Sequence, residues 1–337
     1  MKEILEYLFS GKILSEEQAY QVLIDFGKGM YSNEEFAAFL TIFKMRSLAA
    51  IELSGFRKAM IEMSSQVDLS SYNGLEIVGT GGDCKNTFNI STLSAFIISG
   101  AGINIVKHGN YAATSVSGAS NVLEYFGYKF TNDEQKLKNY LDKGGFCFMH
   151  APLFHPVMGK VAPIRRSLPF PTFFNILGPI INPSSPKYQM YGTNNRENFD
   201  LYKGLKQSDD INCTVINSLD GYDEISLTDN IAFSFNGKEK KITPADFGFK
   251  KVDPIKLSGG KTVKDAAKIF HTILEGKGEE DQNHVVIANA AMGIKTVYPE
   301  KELLDCVAMA TESLESGKAL QHLKAIAALE VEDKILV

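Results

Sequence analysis

The sequence has few cysteines and no long apolar run, and each shortage excludes a class of protein. The four cysteines are Cys84, Cys147, Cys213 and Cys306. None is close enough to another for a zinc knuckle or a C-x-x-C pair, so we expect reduced thiols in a cytoplasmic protein. No apolar stretch approaches the roughly 18 residues of a membrane span. The N-terminus is amphipathic and has no signal-peptide core, so we expect a soluble intracellular protein.

Several familiar catalytic and nucleotide-binding motifs are also missing. The glycine-rich loop at 79–83 lacks the G-K-[S/T] of a Walker loop, and Cys84 stands where the dinucleotide fingerprint needs glycine. The sequence contains no H-E-x-x-H, no nucleophile elbow and no kinase motif set. The net charge of −5 argues against a general nucleic-acid binder, although local basic loops remain possible. The composition, 44% apolar and 22% charged over 337 residues, predicts a globular protein of two domains.

Residues 1–66 are predicted to be entirely helical. Ser15 with Gln18, and Ser32 with Glu35, fit the capping box that opens a helix. Apolar residues recur at helical spacing through the segment, which indicates core packing. A helical module of this size must bury its other face against later segments or against a second subunit.

From Glu76 onward the pattern alternates between strands and helices, which predicts a mainly parallel sheet. The predicted strands lie at 77–78, 103–106, 146–149, 188–191, 213–217 and 284–290, with a hairpin at 231–242 and a glycine loop at Gly293. The predicted helices lie at 93–99, 131–141, 157–168, 172–177, 197–206, 263–275 and 302–329. Another helix is predicted to begin at Asn121. Thr131 and Glu134 are predicted to form the capping box of the helix at 131–141.

Two successive strands end in loops suited to phosphate. The first loop is Gly79-Thr80-Gly81-Gly82-Asp83, and the second is Lys107-His108-Gly109-Asn110. Helices follow both loops, and a helix N-terminus presents unpaired N–H groups to an anion. Open α/β sheets bind ligands at this end of their strands. Either loop alone would be a weak signal.

Charged residues elsewhere admit two interpretations each. Asp223 and Glu224 follow a strand and form either a solvated turn or a magnesium site, because Mg²⁺ often joins one or two carboxylates to substrate phosphates. Arg165 and Arg166 could be surface charges, and His108 could be structural. Phosphate loops, a metal site and arginine together indicate group transfer on a phosphorylated substrate.

At this level of detail the sequence resembles the anthranilate phosphoribosyltransferase family. The matching segments, which span almost the whole chain in order, are GTGGD (79–83), TFNIST (87–92), KHGN (107–110), SGAS (117–120), HPVMGKVAPIRRSL (155–168), FNILGPIINP (174–183), DGYDEISLT (220–228) and ANAAMGI (288–294). The resemblance implies an α/β fold with a small helical domain. That domain would take residues 1–66 and a returning segment at about 163–183, and it would form a homodimer. The α/β domain, residues 72–162 and 184–337, would bind phosphoribosyl pyrophosphate.

The resemblance also implies the reaction, which is transfer of a phosphoribosyl group from phosphoribosyl pyrophosphate to anthranilate with Mg²⁺. Implied catalytic residues are Lys107, His108, Asn110 and Arg165. Implied donor-binding residues are Gly79, Gly82, Asp83, Thr87, Asn89, Ile90, Ser91, Thr92, Lys107, His108, Gly109, Asn110, Tyr111, Ala112, Ala113, Thr114, Ser115 and Ala119. Implied anthranilate contacts are Gly79, Asn110 and Arg165, and implied metal ligands are Ser91, Asp223 and Glu224.

The sequence departs from the family pattern at one position, and two other functions are alternatives. The family usually has arginine where this chain has Tyr111, which removes a positive charge beside the donor or acceptor path. A pyrimidine nucleoside phosphorylase would need a longer chain and a lysine-serine phosphate motif that the sequence lacks. A nucleic-acid-binding relative of the fold would need a basic groove and eroded metal residues, whereas Asp223 and Glu224 are intact.

Overall fold

The computed structural model describes residues 1–112, 115–205 and 211–332, and it begins with four helices. These are α1 (Lys2–Phe9), α2 (Glu16–Gly27), α3 (Asn33–Met45) and α4 (Ala50–Glu62). The Ser15 and Ser32 side chains accept hydrogen bonds from the backbone N–H groups of Gln18 and Glu35. The side chains of Gln18 and Glu35 bond back to the caps, so both predicted capping boxes are confirmed.

The rest of the chain alternates strands and helices. The strands are β1 (Leu75–Gly79), β2 (Ile105–Gly109), β3 (Phe146–His150), β4 (Tyr188–Gly192), β5 (Asn212–Ser218), β6 (Ile231–Phe235) and β7 (Lys238–Ile242). The helices are α5 (Ile90–Gly100), α6 (Ala119–Tyr125), α7 (Glu134–Gly144), α8 (Ala151–Phe154), α9 (Met158–Ser167), α10 (Phe174–Leu177), α11 (Arg196–Lys203), α12 (Val263–Leu274), α13 (Glu280–Val297), α14 (Leu303–Glu315) and α15 (Lys318–Glu332).

The strands form one sheet in the order β3-β2-β1-β4-β5-β6-β7. The first five in this order are parallel, as predicted, and the β6–β7 hairpin adds an antiparallel edge. The strand order reverses between β1 and β4, which is the switch point where such sheets open a crevice for ligands. Gly79 and Gly192 are register partners at that point.

Alternate residues along the strands enter two separate apolar clusters. Met190 and Ile216 belong to the cluster that contains α5 and α13, whereas Tyr191 and Val215 belong to the cluster that contains the four N-terminal helices. This alternation follows from the period of two in a strand. Residues 157–181 also contribute to the helical cluster. The predicted domain boundaries at 66 and 163–183 remain a prediction.

Residues 284–290 were predicted as a strand, and this prediction is wrong. They lie inside α13, and Gly293 lies in the same helix rather than in a loop. Nearly every residue from Val285 to Ile294 is buried, so the apolar run carries no helical periodicity to distinguish it from a buried strand. Gly293 allows close packing of α13, because a Cβ there would meet Ile98 Cδ1 at 2.5 Å.

Smaller corrections concern where elements begin and end. Asp133, not Thr131, caps α7, because its side chain accepts a hydrogen bond from Lys136 N. The predicted break at Lys107 is also wrong, since β2 continues to Gly109. The helix predicted at 197–206 ends earlier than expected, because α11 ends at Lys203 with Gly204 as its C-cap, and residue 206 lies outside the described residues. None of the helices in the described ranges has the length and apolarity to cross a membrane.

Candidate active site

The site is built where β1 and β4 end side by side. The loop after β5 passes over these strand ends and places Asp223 in contact with Gly79 and Gly192. A Cβ at Gly192 would overlap the Asp223 carbonyl oxygen, and a Cβ at Gly79 would overlap its carboxylate. Glycine is therefore required at both strand ends for the Asp223 carboxylate to occupy the switch point.

The first predicted phosphate loop wraps around this carboxylate. Gly81 and Gly82 have φ values of +66° and +72°, which favour glycine, and Gly81 N donates a hydrogen bond to Asp223 Oδ2 at 2.6 Å. Asp83 Oδ1 accepts from Lys85 N at 3.0 Å, while its buried Oδ2 has no partner among the described residues. The loop thus leaves one carboxylate oxygen available to a ligand.

The N-terminus of α5 lies next to the acidic pair. Ser91 N donates to Glu224 Oε1 at 2.8 Å, so a carboxylate already occupies one of the helix's unpaired N–H groups. Asn89 Nδ2 donates to Ser117 O at 2.9 Å and links the segment before α5 to the segment before α6, while Thr87 forms an isolated β-bridge with Ser258. The side chains of Ile90 and Thr92 are buried.

The second loop supplies a buried cation. Lys107 is 1% exposed, and its Nζ donates to the carbonyl oxygen of Ile77. Gly109 packs closely against β3, since a Cβ there would meet the Phe148 ring at 3.1 Å. Asn110 Oδ1 accepts from Tyr111 N at 2.8 Å, and Asn110 O accepts from Ser120 N.

The remaining predicted donor residues lie farther along this loop. Tyr111 is 43% exposed and packs edge-on against His150, with its hydroxyl toward Glu124. Ala112 N donates to Asn121 Oδ1, and Ala119 begins α6. Ser115 is half-buried, whereas Ala113 and Thr114 lie outside the described residues. Tyr111 therefore faces a neighbouring aromatic cluster of Phe130 and His150.

Burial and mutual repulsion perturb the titration of the acidic pair. Burial and the neighbouring Asp83 raise the pKa of Asp223 to about 7. Burial and Asp223 raise the pKa of Glu224 well above its usual range. Burial lowers the pKa of Lys107, and Glu76, Glu224 and Asp223 oppose that shift. Crowded oxygen donors with raised pKa values fit a hard divalent cation, which would relieve their repulsion.

The predicted acceptor residue Arg165 lies near the end of α9. It is half-buried, its Nη2 donates to Asn175 Oδ1 at 2.9 Å, and its guanidinium lies 5.8 Å from the Phe174 ring centroid. Burial lowers its pKa. No carboxylate in the described ranges pairs with Arg165, and Arg166 is exposed. Arg165 therefore keeps donors for a carboxylate ligand, although no hydrogen bond of the described residues joins it to Gly79 or Asn110.

The sequence interpretation missed three residues at this edge. The His155 ring packs edge-on against the His108 ring at a centroid distance of 5.0 Å, which joins the segment before α9 to the Lys107 loop. Burial lowers the pKa of His155 to about 4 and also lowers that of His108, so both rings are neutral at pH 7. Glu76 and Asn182 are buried beneath the same loop. All three stand inside or beside motifs of the resemblance, and that adjacency was the available signal.

Two family models match the chain. Residues 2–64 match the helical bundle domain of the glycosyl transferase family, and residues 71–320 match its a/b domain. Among curated proteins, the chain is 48% identical over 334 residues to anthranilate phosphoribosyltransferase of Flavobacterium johnsoniae, covering 98% of this chain and 100% of that one. It is 48% identical to the enzyme of the same name from Bacteroides fragilis, covering 96% and 98%.

Solved structures give the same result. The chain is similar to anthranilate phosphoribosyltransferase from Thermus thermophilus, with a TM-score of 0.90, 29% identity and coverage of 97% and 98%. It is also similar to anthranilate phosphoribosyltransferase from Saccharomyces cerevisiae in complex with PRPP and Mg. In that comparison the TM-score is 0.86 and the identity 28%, with coverage of 95% and 94%.

Proposed function

The chain belongs to the anthranilate phosphoribosyltransferase family, and we propose that it performs the family's reaction at the edge where β1 and β4 end. The enzyme transfers the phosphoribosyl group of 5-phosphoribosyl 1-pyrophosphate to the amine of anthranilate. The products are N-(5-phosphoribosyl)anthranilate and pyrophosphate, in tryptophan biosynthesis. The observation that carries this proposal is the Asp223–Glu224 pair over the switch point, with Asp223 buried and Glu224 half-buried, in a chain that matches its relatives nearly end to end.

The donor takes the two loops and the start of α5. Backbone N–H groups of a glycine loop and of a helix N-terminus suit phosphate oxygens. In this structure Gly81 N and Ser91 N already donate to the carboxylates of Asp223 and Glu224. Lys107 adds a buried point charge. The proposed donor residues are those of the sequence analysis, from Gly79 to Ala119.

Ser91, Asp223 and Glu224 would hold Mg²⁺, because Ser91 N already contacts Glu224 and all three offer oxygen ligands. When bound, the ion neutralises the charge that develops on the pyrophosphate leaving group. The yeast relative carries Mg in its complex with PRPP. This similarity supports magnesium use by the present chain.

Arg165 would bind the anthranilate carboxylate, with Gly79 and Asn110 beside the ring. A guanidinium offers two parallel donors to a carboxylate and fixes both its distance and its rotation. The amine of anthranilate is neutral at pH 7, so attack at the ribose C1 carbon needs no strong base. This agrees with the neutral His108 and His155 rings. The C–N bond forms as the C–O bond to pyrophosphate breaks, and the amine releases a proton. Positioning and electrostatics supply most of the rate enhancement.

We further propose that the helical domain comprises residues 1–66 and 163–183, that it forms a homodimer, and that the enzyme works in the cytoplasm. The four cysteines are unpaired thiols, which fits a reducing compartment. The large apolar side chains exposed in the helical domain are Phe9, Ile13, Met30, Met45 and Ile51. They provide apolar surface for a second subunit.

The test is a turnover assay that follows anthranilate fluorescence with purified protein, phosphoribosyl pyrophosphate and Mg²⁺. Loss of fluorescence that requires all components is expected. Turnover only with a pyrimidine nucleoside and inorganic phosphate would instead identify a phosphorylase. Tight DNA binding without turnover would identify a nucleic-acid-binding relative of the fold.

A further inference from the structure

The ladder of backbone hydrogen bonds between β1 and β2 ends directly beneath the two predicted phosphate loops, residues 79–83 and 107–110. The two strands share one register pair, Leu75 with Ile105, whereas β2 and β3 share five pairs from Ile105 to Gly109. Beyond Ile105 the backbone groups of β2 that face β1 therefore need other partners. Side chains provide them.

Three buried side chains replace the missing backbone bonds. Glu76 Oε2 accepts from His108 N at 2.9 Å, and Asn182 Nδ2 donates to Val106 O at 2.8 Å. On the other strand, Lys107 Nζ donates to Ile77 O. Asn182 Nδ2 also donates to Glu76 Oε2, so Glu76 and Asn182 form one unit in the gap. All three are no more than 3% exposed.

The side-chain oxygen of Asn182 is also hydrogen-bonded. Its Oδ1 accepts from Ser184 N at 2.9 Å and from Ser184 Oγ at 2.8 Å. It belongs to the segment that follows α10 and leaves the helical cluster. The unit therefore ties that returning segment to the base of the Lys107 loop.

The two side chains hold the backbone on both sides of Lys107. Asn182 bonds Val106 O, the residue before it, and Glu76 bonds His108 N, the residue after it. The Lys107 side chain crosses the same gap to Ile77 O on β1. The position of Lys107 therefore depends on Glu76 and Asn182.

We propose that Glu76 and Asn182 are positioning residues for the donor site, which replace strand pairing beneath the Lys107 loop and hold Lys107 in place. This rests on the proposed function in one respect, namely that Lys107 binds the donor phosphates. Glu76 and Asn182 lie below the loop and act through the backbone of β2. Asn182 fixes Val106 O, and Glu76 fixes His108 N.

The test is Glu76→Ala, which removes the acceptor for His108 N and for Asn182 Nδ2. We expect the KM for phosphoribosyl pyrophosphate to rise about tenfold or more, because small displacements in a site are costly, while kcat and the KM for anthranilate change little. Calorimetric donor binding should weaken in parallel. Glu76→Gln, which keeps an oxygen that can accept from His108 N, should restore most of the donor affinity.

The matched control is Glu52→Ala. Glu52 is equally buried but lies in α4, bonded to Arg46 and Leu14 N, so its loss should lower thermal stability alone. If Glu76→Ala loses only stability, as the control does, the proposal is overturned. Should Glu76→Ala fail to fold, Asn182→Ala decides: a higher donor KM with kcat unchanged supports the proposal, and an unchanged KM overturns it. Failure of the proposed function is distinct, because the wild type would then show no turnover.

Discussion

At the scale of single residues, the site is an arrangement of buried charge. Lys107 is a buried cation that faces Glu76, Asp223 and Glu224. Taking such charges from water is costly unless each is paired or hydrogen-bonded. The carboxylates are bonded by the backbone N–H groups of His108, Gly81 and Ser91. A divalent cation and an anionic donor would complete the balance of charge.

Arg165 gives the first prediction at this scale. Arg165→Ala should lower kcat/KM for anthranilate. The expected loss of transition-state stabilisation is about 1.5–3 kcal/mol, the usual cost of losing a charged hydrogen-bonding partner. The KM for the donor should hardly change. Arg166→Ala is the matched control, because Arg166 is adjacent but exposed and should have a smaller effect. Steady-state kinetics that match wild type in Arg165→Ala would mean that another group holds the carboxylate.

The acidic pair gives a pH prediction. The pKa of Asp223 is raised from 3.8 to about 7, and that of Glu224 is also raised. The stability these groups contribute is therefore complete below about pH 4 and is lost as pH rises through 7. Mg²⁺ binds the ionised form and must displace protons at low pH. The increase in melting temperature on adding Mg²⁺ should thus be larger at pH 8 than at pH 5.5.

The same thermal-unfolding measurement on the double variant Asp223→Ala/Glu224→Ala controls for magnesium bound elsewhere. Mg²⁺ should not increase the melting temperature of this variant at either pH. An increase in the wild type that is equal at both pH values would contradict the raised pKa values.

At the scale of elements, the strand ends decide where the site can form. Gly79 and Gly192 leave the space that Asp223 fills. Gly192→Ala should displace the Asp223 backbone, lower the melting temperature and reduce kcat/KM for the donor by about tenfold or more, because small displacements in a site are costly.

Gly159→Ala is the matched glycine replacement. Its Cβ would meet nothing within 4 Å, and Gly159 lies within α9. Alanine there should leave turnover unchanged and stabilise the protein by about 0.5–1 kcal/mol. Equal kinetics for the two alanine variants would show that the strand-end glycines are not needed for catalysis.

The helices and strands were predictable where local chemistry decides them. The caps Ser15 and Ser32 bond within three residues of themselves, so sequence spacing suffices to identify them. Residues 284–290 were mistaken for a strand because α13 is buried on nearly every side, and only tertiary packing distinguishes the two. Thr131 failed as a cap because Asp133 competes for the same role.

The site was predictable as a set of motifs but not as a geometry. Two glycine loops and the Asp223–Glu224 pair were visible in the sequence. The gap between β1 and β2 was not, because it depends on Asn182 reaching a strand 76 residues earlier in the chain. The orientation of Tyr111 toward His150 likewise depends on a contact between distant segments.

At the scale of the whole molecule, the helical cluster and the sheet share one apolar interface. Phe173 stacks on Phe56 with ring centroids 4.5 Å apart, which fixes the returning segment against α4. Arg57 Nε donates to Ile180 O at 2.9 Å on the same path. The segment that carries Arg165 therefore packs with the helical cluster, whereas the two phosphate loops follow strands of the sheet.

The exposed apolar side chains of the helical domain predict a homodimer. Phe9→Ser/Met45→Ser removes two of the largest, which are 69% and 86% exposed, and should shift the protein toward monomer. Ile255→Ser is the control, because Ile255 is 75% exposed but lies outside the helical domain. Sedimentation at micromolar concentration measures the change. A wild-type protein that sediments as a monomer would contradict the prediction.

The central claim is that phosphoribosyl transfer occurs over the Asp223–Glu224 pair and depends on Mg²⁺ held there. The most direct measurement is the initial rate of anthranilate consumption by the wild type and by Asp223→Ala/Glu224→Ala, with circular dichroism to confirm that the variant is folded. We predict full dependence on Mg²⁺ in the wild type and no turnover in the folded variant. Full activity of the variant, or of the wild type in excess chelator, would contradict the account.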